Sequence, residues 1–144
     1  MLKEIVLTPV EASSLLISSV FGKPVFSEEV ARRLHVPPII ARFDEAMSFW
    51  GNIFQDTQKS QLLVDSVNRL LQAAQSGNHY PYLTETEVQI IRLRNGLEDG
   101  RIKTLVQTGE QIGKSGERTR QIEAKSLMRL RHPTYTQYLP SFVR

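Results

Sequence analysis

Six residues between positions 117 and 129 hold the densest chemistry of the chain: Glu117, Arg118, Arg120, Gln121, Lys125 and Arg129. Arginine matches the paired acceptors O6 and N7 of guanine. Glutamine matches N6 and N7 of adenine, and glutamate accepts from N4 of cytosine. Basic residues further along suit phosphates, which carry no sequence information. At helical spacing these side chains populate the outer faces of one helix, while Ile122, Leu127 and Leu130 form its inward face. The alternative is a solvated charged face on an ordinary helical hairpin.

The flanking residues can build the support such a helix needs. Thr104-Leu105-Val106-Gln107 is a capping box, in which hydroxyl and glutamine satisfy each other's backbone donors. It opens a short helix with Leu105, Val106, Gly109 and Ile112, ended by Gly113. Ser115 then caps a longer helix from Gly116 to about Arg131, stopped by His132-Pro133. A short helix, a glycine turn and a longer helix outline a helix-turn-helix. In such modules the first turns of the second helix enter the major groove. Gly109 sits mid-helix, where it costs roughly 0.8–1 kcal/mol against alanine. Close packing of a neighbouring helix would explain it. Upstream, Thr84-Glu85-Thr86-Glu87 is another capping box. It opens a helix running to Asn95, with Gly96 as its stop, and Glu98-Asp99-Gly100-Arg101 is a turn.

Helices also account for the first half. Thr8-Pro9 reads as a cap and first helical position. Val10, Ser13, Ser14, Ile17, Val20 and Phe21 follow helical spacing up to Gly22-Lys23-Pro24. Ser27 caps a short helix over 28–35. After Pro37-Pro38, the residues Ile39, Ile40, Phe43, Met47, Trp50 and Phe54 form an amphipathic stripe. Asp56 or Thr57 caps a further helix carrying Leu63, Val67, Leu70, Leu71 and Ala74, which ends at Gly77-Asn78. His79-Tyr80-Pro81-Tyr82 is a linker or turn. No segment reads as a strand. The fold expected is all-α: a helical domain over 1–82, then a helix-turn-helix domain over 83–144.

Charge divides the chain at the same place. Residues 1–82 hold 7 Lys and Arg against 8 Asp and Glu, whereas residues 83–144 hold 11 against 7. A basic second half suggests a polyanion partner, with surplus surface arginine as the bland alternative. The absence of cysteine removes disulfide scaffolds, thiolate metal sites and cysteine nucleophiles. His35, His79 and His132 lack metal-ligand spacing. Gly113-Lys114-Ser115 has the end of a phosphate-binding loop without its earlier glycine or a preceding strand. No nucleophile motif is present, so neither enzyme activity nor a cofactor nor a metal is expected. The longest uncharged apolar stretch is too short to span a bilayer, and no signal peptide is read at the start.

The run Leu83-Thr84-Glu85-Thr86-Glu87 to Arg92-Leu93-Arg94-Asn95-Gly96-Leu97, then Asp99-Gly100-Arg101, Thr104-Leu105, and Glu117 through Leu127 to Leu130-Arg131-His132-Pro133, resembles region 4 of bacterial primary-type sigma factors. The loop Gly96-Leu97-Glu98-Asp99-Gly100-Arg101 is most similar to that of cyanobacterial members. The resemblance is carried by residues 83–144; residues 1–82 are not recognised. It implies a domain that reads the promoter −35 element and docks on the flap tip of the RNA polymerase β subunit. Glu117, Arg118, Arg120 and Gln121 match the base- and phosphate-contacting part of the recognition helix. Thr104 and Leu105 match a phosphate contact at a helix start, where free amides favour an anion. Arg92 and Arg94 match basic positions near the DNA backbone. Lys125 and Arg131 match positions that face DNA or neighbouring activators.

Three departures stand out. Gly116 replaces the family's usual arginine, a principal base contact. Thr119 replaces an aliphatic residue. Asn95 replaces an aromatic residue at a position associated with the polymerase-facing pocket. Phe21, Phe26, Phe43, Phe49, Trp50 and Phe54 mostly sit at core spacing, and residues 1–82 do not resemble the platform that opens the −10 element. The expected protein is therefore a cytoplasmic, nucleoid-associated transcription factor without membrane contact. It binds RNA polymerase, promoter DNA or both, while residues 1–82 engage a second sigma-type or regulatory protein. The alternatives are a sigma mimic that alters holoenzyme assembly without reading DNA, and a free-standing helix-turn-helix repressor.

Overall fold

The computed structural model describes residues 6–22 and 50–143. The expected helix over 28–35 and the stripe from Ile39 to Met47 lie outside these residues. The described part is helical, with no strand.

Helix α1 spans Pro9–Phe21. Thr8 caps it and Glu11 closes a capping box not foreseen from the sequence, with the Glu11 amide donating to Thr8 Oγ1 at 3.3 Å and the Thr8 amide donating to Glu11 Oε1 at 3.0 Å. Its apolar residues are spread around the axis, so it is buried on more than one side. Leu15, Leu16 and Ile17 are buried with Ser14 and Ser18. These two serines return their hydroxyls to helix carbonyls, Ser14 to Glu11 at 2.7 Å and Ser18 to Ser14 at 2.8 Å.

Residues 50–55 are helical. Trp50 is fully buried and stacks on Phe54 with ring centroids 6.0 Å apart. The Trp50 end of the aromatic stripe is thus core. Asp56 caps α2, Thr57–Ser76, accepting from the amides of Gln58 and Lys59 at 3.0 and 3.1 Å. Leu63, Val67, Leu70, Leu71 and Ala74 form its buried face, as their spacing predicts. Helices α3 (Glu85–Arg94), α4 (Leu105–Ile112) and α5 (Gly116–Leu130) follow. The chain closes with two 3-10 helices, Pro133–Tyr138 and Ser141–Val143.

One hydrophobic core joins these elements. Leu16, Ile17 and Val20 of α1 meet Trp50, Ile53, the α2 face, Leu83, Val88, Ile91, Leu130, Tyr135, Leu139 and Val143. The boundary at 82/83 therefore falls inside a shared core, and the Leu83 amide donates to the Ala74 carbonyl at 3.0 Å across it. A module of some sixty residues buries only about 60% of its unfolded surface alone. Packing α1 and α2 against it enlarges that core. No helix among the described residues is long and apolar enough to cross a membrane.

Candidate nucleic-acid interface

Three local devices set the turn between α4 and α5. The Gln107 amide donates to Thr104 Oγ1 at 3.0 Å, and the Thr104 amide donates to Gln107 Oε1 at 2.9 Å, completing the predicted capping box. Gly113 ends α4 in the left-handed region at φ +73°, and the Lys114 amide returns to the Gly109 carbonyl at 2.9 Å. Ser115 caps α5, its hydroxyl accepting from the Arg118 amide at 3.1 Å.

Gly109 lets the turn fold back on α4. A β-carbon there would lie 2.4 Å from the Lys114 carbonyl oxygen and 3.0 Å from the Thr119 hydroxyl. The close approach inferred from a mid-helix glycine is therefore made by the turn and by Thr119. Thr119 is fully buried and satisfies its hydroxyl on the Ser115 carbonyl at 2.8 Å.

The outer side of α5 is left uncovered by the other described residues. Glu117, Arg118, Arg120, Gln121 and Lys125 are all exposed. Arg120 donates to Glu117 at 2.7 and 3.0 Å, and Arg118 Nη1 to Gln121 Oε1 at 3.3 Å. The hydrogen bond from Arg120 holds the Glu117 carboxyl below its ordinary value, and Glu117 raises Arg120 in return. These groups keep each other ordered, and a base edge would have to replace their mutual bonds. Thr104 is exposed and Leu105 half-buried at the start of α4, next to α5.

A cationic groove of about 370 Å³ lies beside this row, where Lys114, Arg118, Lys125 and Arg129 face Thr84, Thr86 and Glu87 at the start of α3. Glu87 ties the two helices. It completes the α3 capping box, accepts from the Ser126 hydroxyl at 3.1 Å and pairs with Arg129. Burial pushes its carboxyl up, but hydrogen bonds from the Thr84 amide, Ser126 and the Thr84 hydroxyl, with the charge of Arg129, bring it below its ordinary value.

The remaining expected contacts are placed elsewhere. Arg92 is half-buried in a separate cleft with Glu98, Asp99 and Lys103. Arg94, expected near the DNA backbone, is only 4% exposed. Its Nε donates to Glu123 at 2.8 Å and its Nη1 to the Lys103 carbonyl at 2.6 Å. A guanidinium enclosed and bonded in this way braces the module from inside. Arg131, expected to face DNA or activators, donates to the Val20 carbonyl at 2.9 Å and the Ser19 carbonyl at 3.2 Å. The C-terminal carbonyls of α1 lack helical partners and favour a cation.

Asn95 is also covered. It caps α3 by donating to the Ile91 carbonyl at 2.8 Å, and it lines a small, partly open cleft with Ser19, Arg94, Glu123 and Leu127. Sequence reasoning also missed the N-terminal strap: the Leu7 amide donates to the Gly100 carbonyl at 2.7 Å, and a β-carbon on Gly100 would lie 2.4 Å from the Leu7 carbonyl. The glycine of the predicted turn was the only local signal.

Residues 82–132 match the family model of Sigma-70, region 4. RNA polymerase sigma factor SigA of Lactococcus lactis subsp. cremoris is 33% identical over 138 residues, covering 85% of this chain and 38% of the relative. SigA4 of Synechococcus elongatus is 41% identical over 91 residues, 63% of this chain and 29% of the relative. SigA of a Bacillus species is 39% identical over 100 residues, 69% of this chain and 26% of the relative. The chain thus spans less than two fifths of the length of these curated relatives. An alignment over 85% of the chain cannot be met by residues 83–144 alone, so similarity to SigA extends into the first half, beyond the motifs that carry the resemblance.

Proposed function

We propose that this chain, which carries a sigma region 4 helix-turn-helix, acts in transcription initiation or its regulation by binding RNA polymerase, promoter DNA of the −35 type, or both. The observation that carries this reading is the exposed row Glu117, Arg118, Arg120, Gln121 and Lys125 on a helix whose start is fixed by the Gly109 turn. Thr104 and Leu105 would hold a phosphate at the adjacent helix start, and Lys125 would add charge. Residues 83–144 form the DNA- and polymerase-facing module in this account. Residues 1–82 combine a buttress for it, through α1 and α2, with a surface for a second sigma-type or regulatory protein. The work assigned to these residues is recognition in the bacterial cytoplasm, with no catalytic step.

A second reading follows from Gly116 and the covered Asn95. Without an arginine at 116, the chain occupies polymerase as a sigma mimic and reads DNA weakly. Docking on the β flap through the Asn95 face then requires α1 to yield, because Ser19 of α1 lines the same cleft as Asn95.

The test is capture of purified core RNA polymerase by the immobilised full chain, with and without primary sigma factor. Retention of core, reduced when primary sigma is added, is expected. No retention under either condition would remove both polymerase-based readings and leave a free-standing repressor.

A further inference from the structure

Val106 is 62% exposed, although it is a β-branched apolar residue on the first turn of α4. Its Cγ2 lies 3.3 Å from the point where a β-carbon on Gly116 would stand. Gly116 is the first residue of α5 and supplies no side chain. The front edge of the reading helix is therefore occupied by the methyl groups of Val106. They follow Leu105, at the helix start assigned to a phosphate, and stand beside Gly116, which immediately precedes the exposed Glu117 in α5.

We propose that Val106 is a specificity-determining residue, which selects the 5-methyl group of a thymine at the base position that an arginine at 116 would read as guanine. This inference rests on the DNA-reading account given above. In the major groove, the thymine methyl is the one base-edge feature recognised by apolar contact, whereas guanine needs two donors. Val106 has no donor and Gly116 has no side chain, so guanine finds no partner there. A thymine methyl seated on Val106 removes apolar surface of both from water.

The test begins with duplexes selected from a random-sequence library by the full chain. Each thymine of the selected site is replaced in turn by deoxyuridine, which deletes only the 5-methyl group, and affinity is read by fluorescence anisotropy. One thymine is expected at which deoxyuridine weakens binding about fourfold, the equivalent of about 0.8 kcal/mol for one methyl-sized group. Val106→Ala should bind the thymine and deoxyuridine duplexes with nearly equal affinity. Because this side chain is exposed, Val106→Ala should keep the wild-type circular dichroism spectrum, which is recorded alongside. Gly116→Arg should shift the preference at that position to guanine.

If Arg120→Ala and Gln121→Ala change site preference but no thymine shows a deoxyuridine effect that depends on Val106, this inference is overturned and the DNA-reading account stands. If no duplex is enriched, or those two variants bind every duplex as wild type does, both are overturned.

Discussion

Arg94 and Glu123 form a 2.8 Å ion pair inside the helix-turn-helix module, with side-chain exposures of 5% and 17%. The pair joins α3 to the middle of α5, and the bond from Arg94 to the Lys103 carbonyl adds the chain leading into α4. One arginine thus fixes α5 against α3 and the chain leading into α4.

Removing one partner of such a pair leaves a buried charge uncompensated. Arg94→Ala is expected to lower unfolding free energy by about 3 kcal/mol, measured by urea denaturation. DNA affinity corrected for the folded fraction should be unchanged. Wild-type stability with reduced DNA affinity would instead place Arg94 at the DNA backbone.

Gly109 and Gly51 should respond to alanine in opposite directions. Both lie in helical segments, but a β-carbon at Gly51 meets none of the described residues within 4 Å, whereas at Gly109 it meets the Lys114 carbonyl at 2.4 Å. Gly51→Ala should stabilise by about 0.5–1 kcal/mol through helix propensity. Gly109→Ala should destabilise by about 2 kcal/mol, since overpacking outweighs that gain. Thermal and urea unfolding of the two variants check this, and a stabilising Gly109→Ala would refute the close-turn account.

Glu87 predicts an acid-dependent part of stability. Its folded carboxyl lies below the ordinary value of 4.5. The carboxylate is ionised in both states at pH 7, so its stabilisation is fully present above 4.5. Below that the unfolded chain takes up the proton first, and the contribution is lost as pH falls through the folded value. Glu87→Gln should cost about 1–2 kcal/mol at pH 7. The gap to wild type should narrow in urea titrations at pH 3.5, whereas a gap independent of pH would contradict the assignment.

Most of what neighbouring residues set was legible, the Thr8–Glu11 capping box excepted. The capping boxes at Thr84 and Thr104, the Ser115 cap and the Gly113 stop are set by residues within a few positions of one another. Gly109 was legible because a mid-helix glycine has a cost that demands a packing reason. Arg94 was not, because Glu123 is 29 positions away and only the folded chain brings them together. The partners of Arg131 and Asn95 were not legible for a related reason: α1, more than seventy positions upstream, supplies the carbonyls that Arg131 bonds and lies beside the buried Asn95. A motif names the side chains of a module but says nothing about which of them another part of the chain will claim.

The central claim, that the first turns of α5 read DNA, is tested most directly by the affinity of the double variant Arg120→Ala/Gln121→Ala for promoter duplexes, measured against wild type over a salt series. Each good base contact contributes about 1–3 kcal/mol of discrimination. The account predicts at least about a tenfold loss of affinity for the preferred duplex and loss of sequence preference. The residual binding should still weaken with salt, by a slope of about −0.9 for each phosphate neutralised. Unchanged affinity and unchanged preference would contradict it.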